Sequence, residues 1–154
     1  MRKRRNSRSK GKIKNATAKT YKGIKFRSKL EVFTYKQLEA AKIKSMYEKN
    51  TYTLLPGFYP IMDSYEPSKG EYKNNTKKVR AITYTPDFVD PDGKWIIEVK
   101  GYANDVFPIK WKLFKVYLME NDMEDCTLYL PKNQKQVKET VELIKKLKNE
   151  YKNN

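Results

Sequence analysis

The sequence has no histidine and only one cysteine, Cys126, in 154 residues. Zinc sites built on His and Cys, HNH-type nucleases and Ser-His or Cys-His nucleophile systems all need residues that are missing here. Any catalysis must use carboxylates, Lys, Tyr or a hard metal ion. A single cysteine rules out an intramolecular disulfide and fits a reducing compartment. Cys126 opens the apolar run to Leu130, where a small buried hydrophobe is the expected role rather than a nucleophile. No apolar stretch approaches the roughly 20 residues that span a bilayer, and no signal-peptide core follows the basic N-terminus. These absences read together as a soluble, cytoplasmic protein.

Acid is missing where base is densest. Residues 1–30 hold 13 of the 34 Lys and Arg and none of the 18 Asp and Glu, so the remaining chain carries only +3 of the net +16. Such a segment fits a polyanion, because neutralising phosphates releases condensed counterions. An anionic membrane surface is the rival partner, but Gly11 and scattered Ser and Asn give no amphipathic basic helix. A solubilising tail is the plainest alternative. Residues 1–20 also lack the large apolar groups needed to fold alone, so they read as a disordered basic arm ahead of one domain over 21–154. Arg2, Lys3, Arg4, Arg5, Arg8 and Lys10 of that arm are candidate DNA contacts.

Within the domain, Ser28 and Glu31 have capping-box spacing before a helix reaching Lys42, with Leu30, Phe33, Leu38 and Ala41 as its buried stripe. Residues 45–55 read as a strand, and 60–78 as a long polar loop. Residues 79–89 and 94–100 form the clearest hairpin, turned by Asp90-Pro91-Asp92-Gly93. A helix over 108–121 presents Trp111, Phe114 and Leu118. A short strand at 126–130 and a helix over 133–150, with Val137, Val141, Ile144, Leu147 and Tyr151 at helical spacing, complete the order α-β-β-β-α-β-α. This predicts a mixed sheet flanked by helices.

One constellation carries chemistry. Side chains alternate along a strand, so Glu98 and Lys100 share one face while Ile97 and Val99 point to a core. Asp87, just after Pro86 on the neighbouring strand, is spaced to lie beside Glu98. Adjacent carboxylates repel, and a hard oxygen-seeking cation such as Mg²⁺ removes the repulsion. The competing reading is a cross-strand salt bridge with Lys100. Glu31 is explained equally well as a helix cap. Glu48 has no motif around it and reads as a salt-bridge partner.

Thr85-Pro86-Asp87 followed by Glu98-Val99-Lys100 resembles the signature of the PD-(D/E)XK nuclease superfamily. The segment from Tyr21 to Glu31 is similar to the start of the first helix in small phage-encoded members, which look like the phage endonuclease I type of Holliday-junction resolvase. The resemblance covers residues 21–118, apart from the 60–78 segment. It implies a restriction-endonuclease-like α-β-β-β-α-β core, with a C-terminal helix added. It also implies that Asp87, Glu98, the Val99 backbone carbonyl and Glu31 bind Mg²⁺ or Mn²⁺. Lys100 would orient or deprotonate the attacking water, and in-line attack would leave a 5′-phosphate.

The expected function is thus a metal-dependent DNA endonuclease, selective for branched DNA and working as a homodimer in replication, recombination or packaging of a genome, in the cytoplasm (of a bacterial host if phage-encoded). The alternative is a non-catalytic nucleic-acid binding module on the same fold. Arg27, Lys29, Lys110, Lys112 and Lys115 are further candidate phosphate contacts, although helix solvation explains the last three equally well. Trp95 and Trp111 are expected in packing rather than on bases. Twelve tyrosines without any histidine give no recombinase-like arrangement.

Overall fold

The computed structural model describes residues 18–101 and 106–151. The basic arm's Arg2, Lys3, Arg4, Arg5, Arg8 and Lys10 lie outside the described residues. The chain enters through a hairpin of β1 (Lys19–Tyr21) and β2 (Ile24–Phe26). Its turn residues Lys22 and Gly23 both have positive φ, 49° and 77°, which matches the right-handed strand twist. Among the described residues, strand pairing begins at Lys19.

Ser28 caps α1 (Lys29–Ala40), its side chain accepting a hydrogen bond from the Glu31 backbone N–H. The buried face of α1 runs along Glu31, Thr34 and Leu38, whereas Phe33, expected in the stripe, is half-buried. Two polar groups thus occupy the inner face, each with a partner; Thr34 donates to the Leu30 carbonyl.

The strand expected over 45–55 is two strands in two sheets. Glu48, with φ of 43°, turns the chain between β3 (Met46–Tyr47) and β4 (Tyr52–Leu55). The 60–78 segment is not a plain loop. It contains the hairpin of β5 (Tyr65–Ser68) and β6 (Glu71–Asn74), closed by Lys69-Gly70 at φ of 51° and 84°. Proline at position 67 argued against a strand there, but a two-stranded ribbon has only edge strands and tolerates it.

Residues 79–89 are likewise divided, into β7 (Ile82–Tyr84) and β8 (Phe88–Val89), with Pro86 between them. β7 pairs antiparallel with β4, and β8 joins the central sheet. β9 (Trp95–Ile97) continues its ladder past its own end, since Glu98 N–H donates to Tyr129 O and Lys100 N–H to Pro131 O. After β9 come α2 (Phe107–Glu120), β10 (Thr127–Tyr129) and α3 (Gln134–Glu150).

The central sheet has the order β10-β9-β8-β3, parallel between β10 and β9 and antiparallel elsewhere. It is a mixed sheet between helices. Phe88, Trp95, Ile97 and Val99 pack on one face with Leu38 of α1 and Val141 and Ile144 of α3. Val89 and Ile96 pack on the other with Tyr84 and with Phe107, Phe114 and Leu118 of α2. All three β9 residues are fully buried, as expected of a strand covered on both sides. Trp95 sits wholly in the core, as expected from its packing role. Tyr151, expected in the α3 stripe, is exposed, with Lys94 lying over its ring. Cys126 packs half-buried beside the α2 core, and burial first, then Asp90 and Asp125, push its thiol up to about 11.

α3 begins where Asn133 accepts from Gln136 N–H at 3.0 Å while the Gln136 side chain accepts from Lys132 N–H at 2.7 Å. Asn133→Ala should therefore destabilise the fold by about 1 kcal/mol. Urea denaturation checks this, with a lower midpoint and an unchanged m value expected.

Candidate active site

Pro86 makes the site's local geometry. The β8–β9 register pairs Phe88 with Ile97, and Asp90 N–H donates to Trp95 O at 3.0 Å. Hydrogen-bonded pairs alternate along an antiparallel ladder, so the next one would join Pro86 and Val99. Proline has no N–H to give. Val99 N–H instead goes to the Asp87 carboxylate, Oδ2 at 2.7 Å. Among the described residues, no donor reaches the Val99 carbonyl. On its other side Asp87 is fixed through its backbone carbonyl, which accepts from Glu48 N–H at 2.9 Å.

The same register, carried one step beyond Phe88 and Ile97, sets Asp87 across from Glu98. Both are buried, at 8% and 3% exposure. Glu98 accepts from the Lys100 ammonium at 2.8 Å through Oε1 and from the Tyr84 hydroxyl at 2.7 Å through Oε2. Glu31 comes from the first turn of α1, and its Oε2 accepts from Arg27 N–H at 2.9 Å and from the Tyr47 hydroxyl at 2.6 Å. It reaches one residue further back than a capping box requires, so capping and membership of the acidic group coexist in one side chain.

The electrostatics tie the three acids together. Burial first, then the charges of Glu98 and Glu31, raise the Asp87 carboxyl well above its ordinary range; Val99 N–H and Lys100 act in the opposite sense. Among the described residues, the ammonium that meets this group is that of Lys100, beside Glu98 and near enough to act on Asp87. Lys100 forms the salt bridge that the plain reading of the motif expects, with Glu98. Its ammonium also lies 4.6 Å from the centre of the Phe107 ring. Tyr84 and Tyr47 are raised, chiefly by burial and then by Glu98 and Glu31 respectively, so both stay protonated as donors.

Among the described residues, no group of three or more acidic or thiol side chains is arranged to hold a metal ion. The four donors implied by the resemblance are not gathered as such a group among the described residues; Oε2 of Glu31 accepts from Arg27 N–H and Tyr47. The remaining donors, Asp87, Glu98 and the Val99 carbonyl, are all oxygens. Few protein ligands and several waters suit Mg²⁺, which is commonly held by one or two carboxylates with substrate phosphate.

The other expected residues are more dispersed. Arg27 Nε pairs with Glu48 at 2.8 Å, giving Glu48 the salt-bridge role expected for it. The Lys110 ammonium donates to the Thr83 carbonyl at 2.9 Å and ties α2 to β7. Lys29, Lys112 and Lys115 are exposed, and Lys115 lies 6.0 Å from the half-buried Trp111 ring. Tyr84 and Tyr47 were not anticipated. Their phenol positions depend on long-range pairing that no local motif encodes, although Tyr84 stands three residues before Asp87.

A family model described as "Protein of unknown function (DUF1064)" matches residues 8–141. The chain belongs to this family. The match includes Glu31, Asp87, Glu98 and Lys100 and ends inside α3. No curated protein and no solved structure matches the chain. Among the described residues, no helix is long and apolar enough to cross a membrane.

A buried acid with a raised folded-state value binds its proton more readily folded than unfolded. Its contribution to stability therefore falls as pH rises from about 4, the ordinary carboxylate range. Metal-free Asp87→Asn should accordingly melt higher than the parent protein at neutral pH, with the gap narrowing towards about pH 4. Thermal melts across pH check this; a lower-melting variant at neutral pH would show that the Asp87 charge is fully paired.

Proposed function

We propose that this protein is a divalent-metal-dependent DNA endonuclease, selective for branched DNA and active as a homodimer. The observation that carries the reading is the burial of Asp87 beside Glu98, with Glu31 close enough to raise Asp87 further and Lys100 paired with Glu98. A fold does not bury unbalanced carboxylates cheaply; the penalty is on the order of several kcal/mol per ion. A purely DNA-binding surface gains nothing from carboxylates that face phosphate. The order of helix, strands, helix and strand around Asp87 and Glu98 supports a restriction-endonuclease-like core, and the basic N-terminal segment supports a polyanionic substrate.

In this reading Asp87, Glu98 and the Val99 carbonyl hold Mg²⁺ or Mn²⁺, while Glu31 adds negative potential from α1. The bound cation supplies positive charge for the scissile phosphate and makes bound water more acidic. The protein's own groups do the positioning. Tyr84 and Lys100 fix the two oxygens of Glu98, and Val99 N–H fixes Asp87. Lys100, held between Glu98 and the Phe107 ring, stands beside the acids as the group that orients the attacking water and stabilises charge on the phosphate. A second reading, a non-catalytic binding module, is favoured by the lack of a closed three-carboxylate group among the described residues.

The two readings separate on a labelled immobile four-way junction beside a matched linear duplex, each with Mg²⁺ and with EDTA. Paired cuts in the junction alone, lost in EDTA, are expected. Cuts in both substrates would keep the nuclease and remove the selectivity, whereas tight binding without any cutting would establish the binding module. Glu98→Ala should abolish cleavage while leaving DNA affinity equal or higher, because a charge facing phosphate has gone. Lys100→Ala should slow cleavage by about 10²–10⁴-fold, the usual range for a proton-transfer group, yet keep any Mg²⁺-dependent rise in melting temperature. Cleavage at the parent rate by either variant would sink the assignment.

Removing residues 1–17 should weaken DNA binding and flatten its salt dependence, as expected when phosphate-neutralising side chains are lost. Affinity titrations at several salt concentrations check this; an unchanged slope would exclude the arm from the interface.

A further inference from the structure

β4 and β7 form a ribbon that begins at the acidic site and leads away from it. Tyr84 at its near end holds Glu98, and Lys110 anchors it through Thr83. The ribbon continues beyond the paired strands through a bridge between Phe58 and Val79. Gly57 permits this closeness, since a Cβ there would meet the Val79 carbonyl at 2.9 Å and Ala81 N at 3.2 Å. Five residues separate Tyr84 from Val79, which is about 17 Å of extended chain, or roughly five base-pair rises.

The far part of the ribbon, residues 58–80, exposes large apolar and aromatic groups. Ile61 is 99% exposed, Tyr72 73%, Tyr59 67% and Met62 64%. The β5–β6 register places Tyr65, Pro67 and Tyr72 on one face and Glu66, Glu71 and Lys73 on the other. Every acid here is already engaged. Asp63 accepts from Asn74, Glu66 from Ser64 and Asn75, and Glu71 pairs with Lys73. Among the described residues, none of Lys77, Lys78 and Arg80 pairs with a carboxylate. Lys78 instead lies 5.8 Å from the Tyr59 ring centre.

Unpaired cations beside exposed rings complement a polyanion that also offers flat apolar faces. A protein partner would need an acidic surface to match, and a duplex hides its base faces. We infer that residues 58–80 form a second DNA contact, in which Tyr59 and Ile61 pack against unpaired bases while Lys77, Lys78 and Arg80 neutralise the adjoining phosphates. The inference rests on the nuclease reading for its substrate. It adds a reason for branch selectivity, because base faces become accessible where strands open at a branch, near the phosphate that a cation at Asp87 and Glu98 would position. Stacking on aromatic side chains tolerates any base, so the contact reads strand opening rather than sequence.

The test uses the full chain in EDTA, where no cutting occurs. Fluorescence anisotropy measures affinity for a labelled duplex interrupted by a short single-stranded gap and for the same duplex intact. Both side chains are exposed, so Tyr59→Ala with Ile61→Ser leaves the core untouched. The double variant should lose at least about fivefold in affinity for gapped DNA, the lower end of one stacked base's contribution, with intact-duplex affinity unchanged. Equal losses on both DNAs, or none on either, would overturn the inference. So would unchanged DNA affinity with a lower sedimentation coefficient, which would mark the surface as an interface between two copies. Parent protein that binds gapped DNA through this surface but never cleaves would sink the nuclease reading alone. Cleavage of the junction at full rate and selectivity by the double variant, with unchanged gapped-DNA affinity, would sink the ribbon contact alone.

Discussion

The hydrogen bond from Val99 N–H to the Asp87 carboxylate organises the molecule around it. It exists because Pro86 occupies the position where the β8–β9 ladder would take its next pair of backbone bonds. Losing the Pro86 N–H has two consequences at one point: the Val99 carbonyl keeps no donor from the opposite strand, and Asp87 takes up the Val99 N–H with its side chain. The same interruption separates β7 from β8, freeing β7 to pair with β4. Tyr84 can then reach Glu98 from a different sheet. One imino acid thus sets the donor geometry of the site and the direction in which the ribbon departs.

Several forces compete among the acids of the site. Hydrogen bonds from Tyr84, Tyr47, Arg27 N–H and Val99 N–H satisfy individual oxygens, and each offsets part of the desolvation of its carboxylate. They do not remove the influence of Glu98 and Glu31 that raises Asp87, and Lys100 pairs with Glu98. Neutral donors therefore keep the acids ordered without neutralising them, which is the condition under which a mobile cation gains most by binding. The surrounding core supplies the rigidity. Phe88, Trp95, Ile96 and Ile97 are fully buried, so the strands carrying Asp87 and Glu98 cannot relax apart without opening packed volume on both sheet faces.

Much of this was legible in the sequence wherever the signal was local. The Ser28–Glu31 spacing announced the α1 cap, the Asp90–Gly93 turn announced the β8–β9 hairpin, and strand alternation put Glu98 opposite in sense to Ile97 and Val99. Helices α2 and α3 followed from apolar spacing around Phe114 and Ile144. What escaped depended on backbone conformations that residue type encodes weakly. Glu48 and Lys69 adopt positive φ without being glycine, so the break between β3 and β4 and the β5–β6 turn left little trace. Lys110 is a candidate phosphate contact in the sequence; only the approach of β7 reveals its hydrogen bond to the Thr83 carbonyl. Glu31 could be read as a cap, as an acid of the site or as both, and its carboxylate meets Arg27 N–H and Tyr47 while still raising Asp87.

Mechanical continuity between the ribbon and the acidic group gives the arrangement its logic. Tyr84 belongs to β7 by its backbone and to the site by its hydroxyl, so the ribbon is tied to the acidic group at Glu98 Oε2. Lys110 pins the same strand to α2, the helix whose Phe107 ring lies under Lys100. A load on the exposed end of the ribbon would therefore converge on both groups that hold Glu98, one through each oxygen. Glu98 is held by groups from the ribbon and from its own strand, whereas Asp87 is held entirely within the central sheet. The two carboxylates face each other across the β8–β9 pair of the central sheet, and the ribbon adds one further hold, on Glu98 alone.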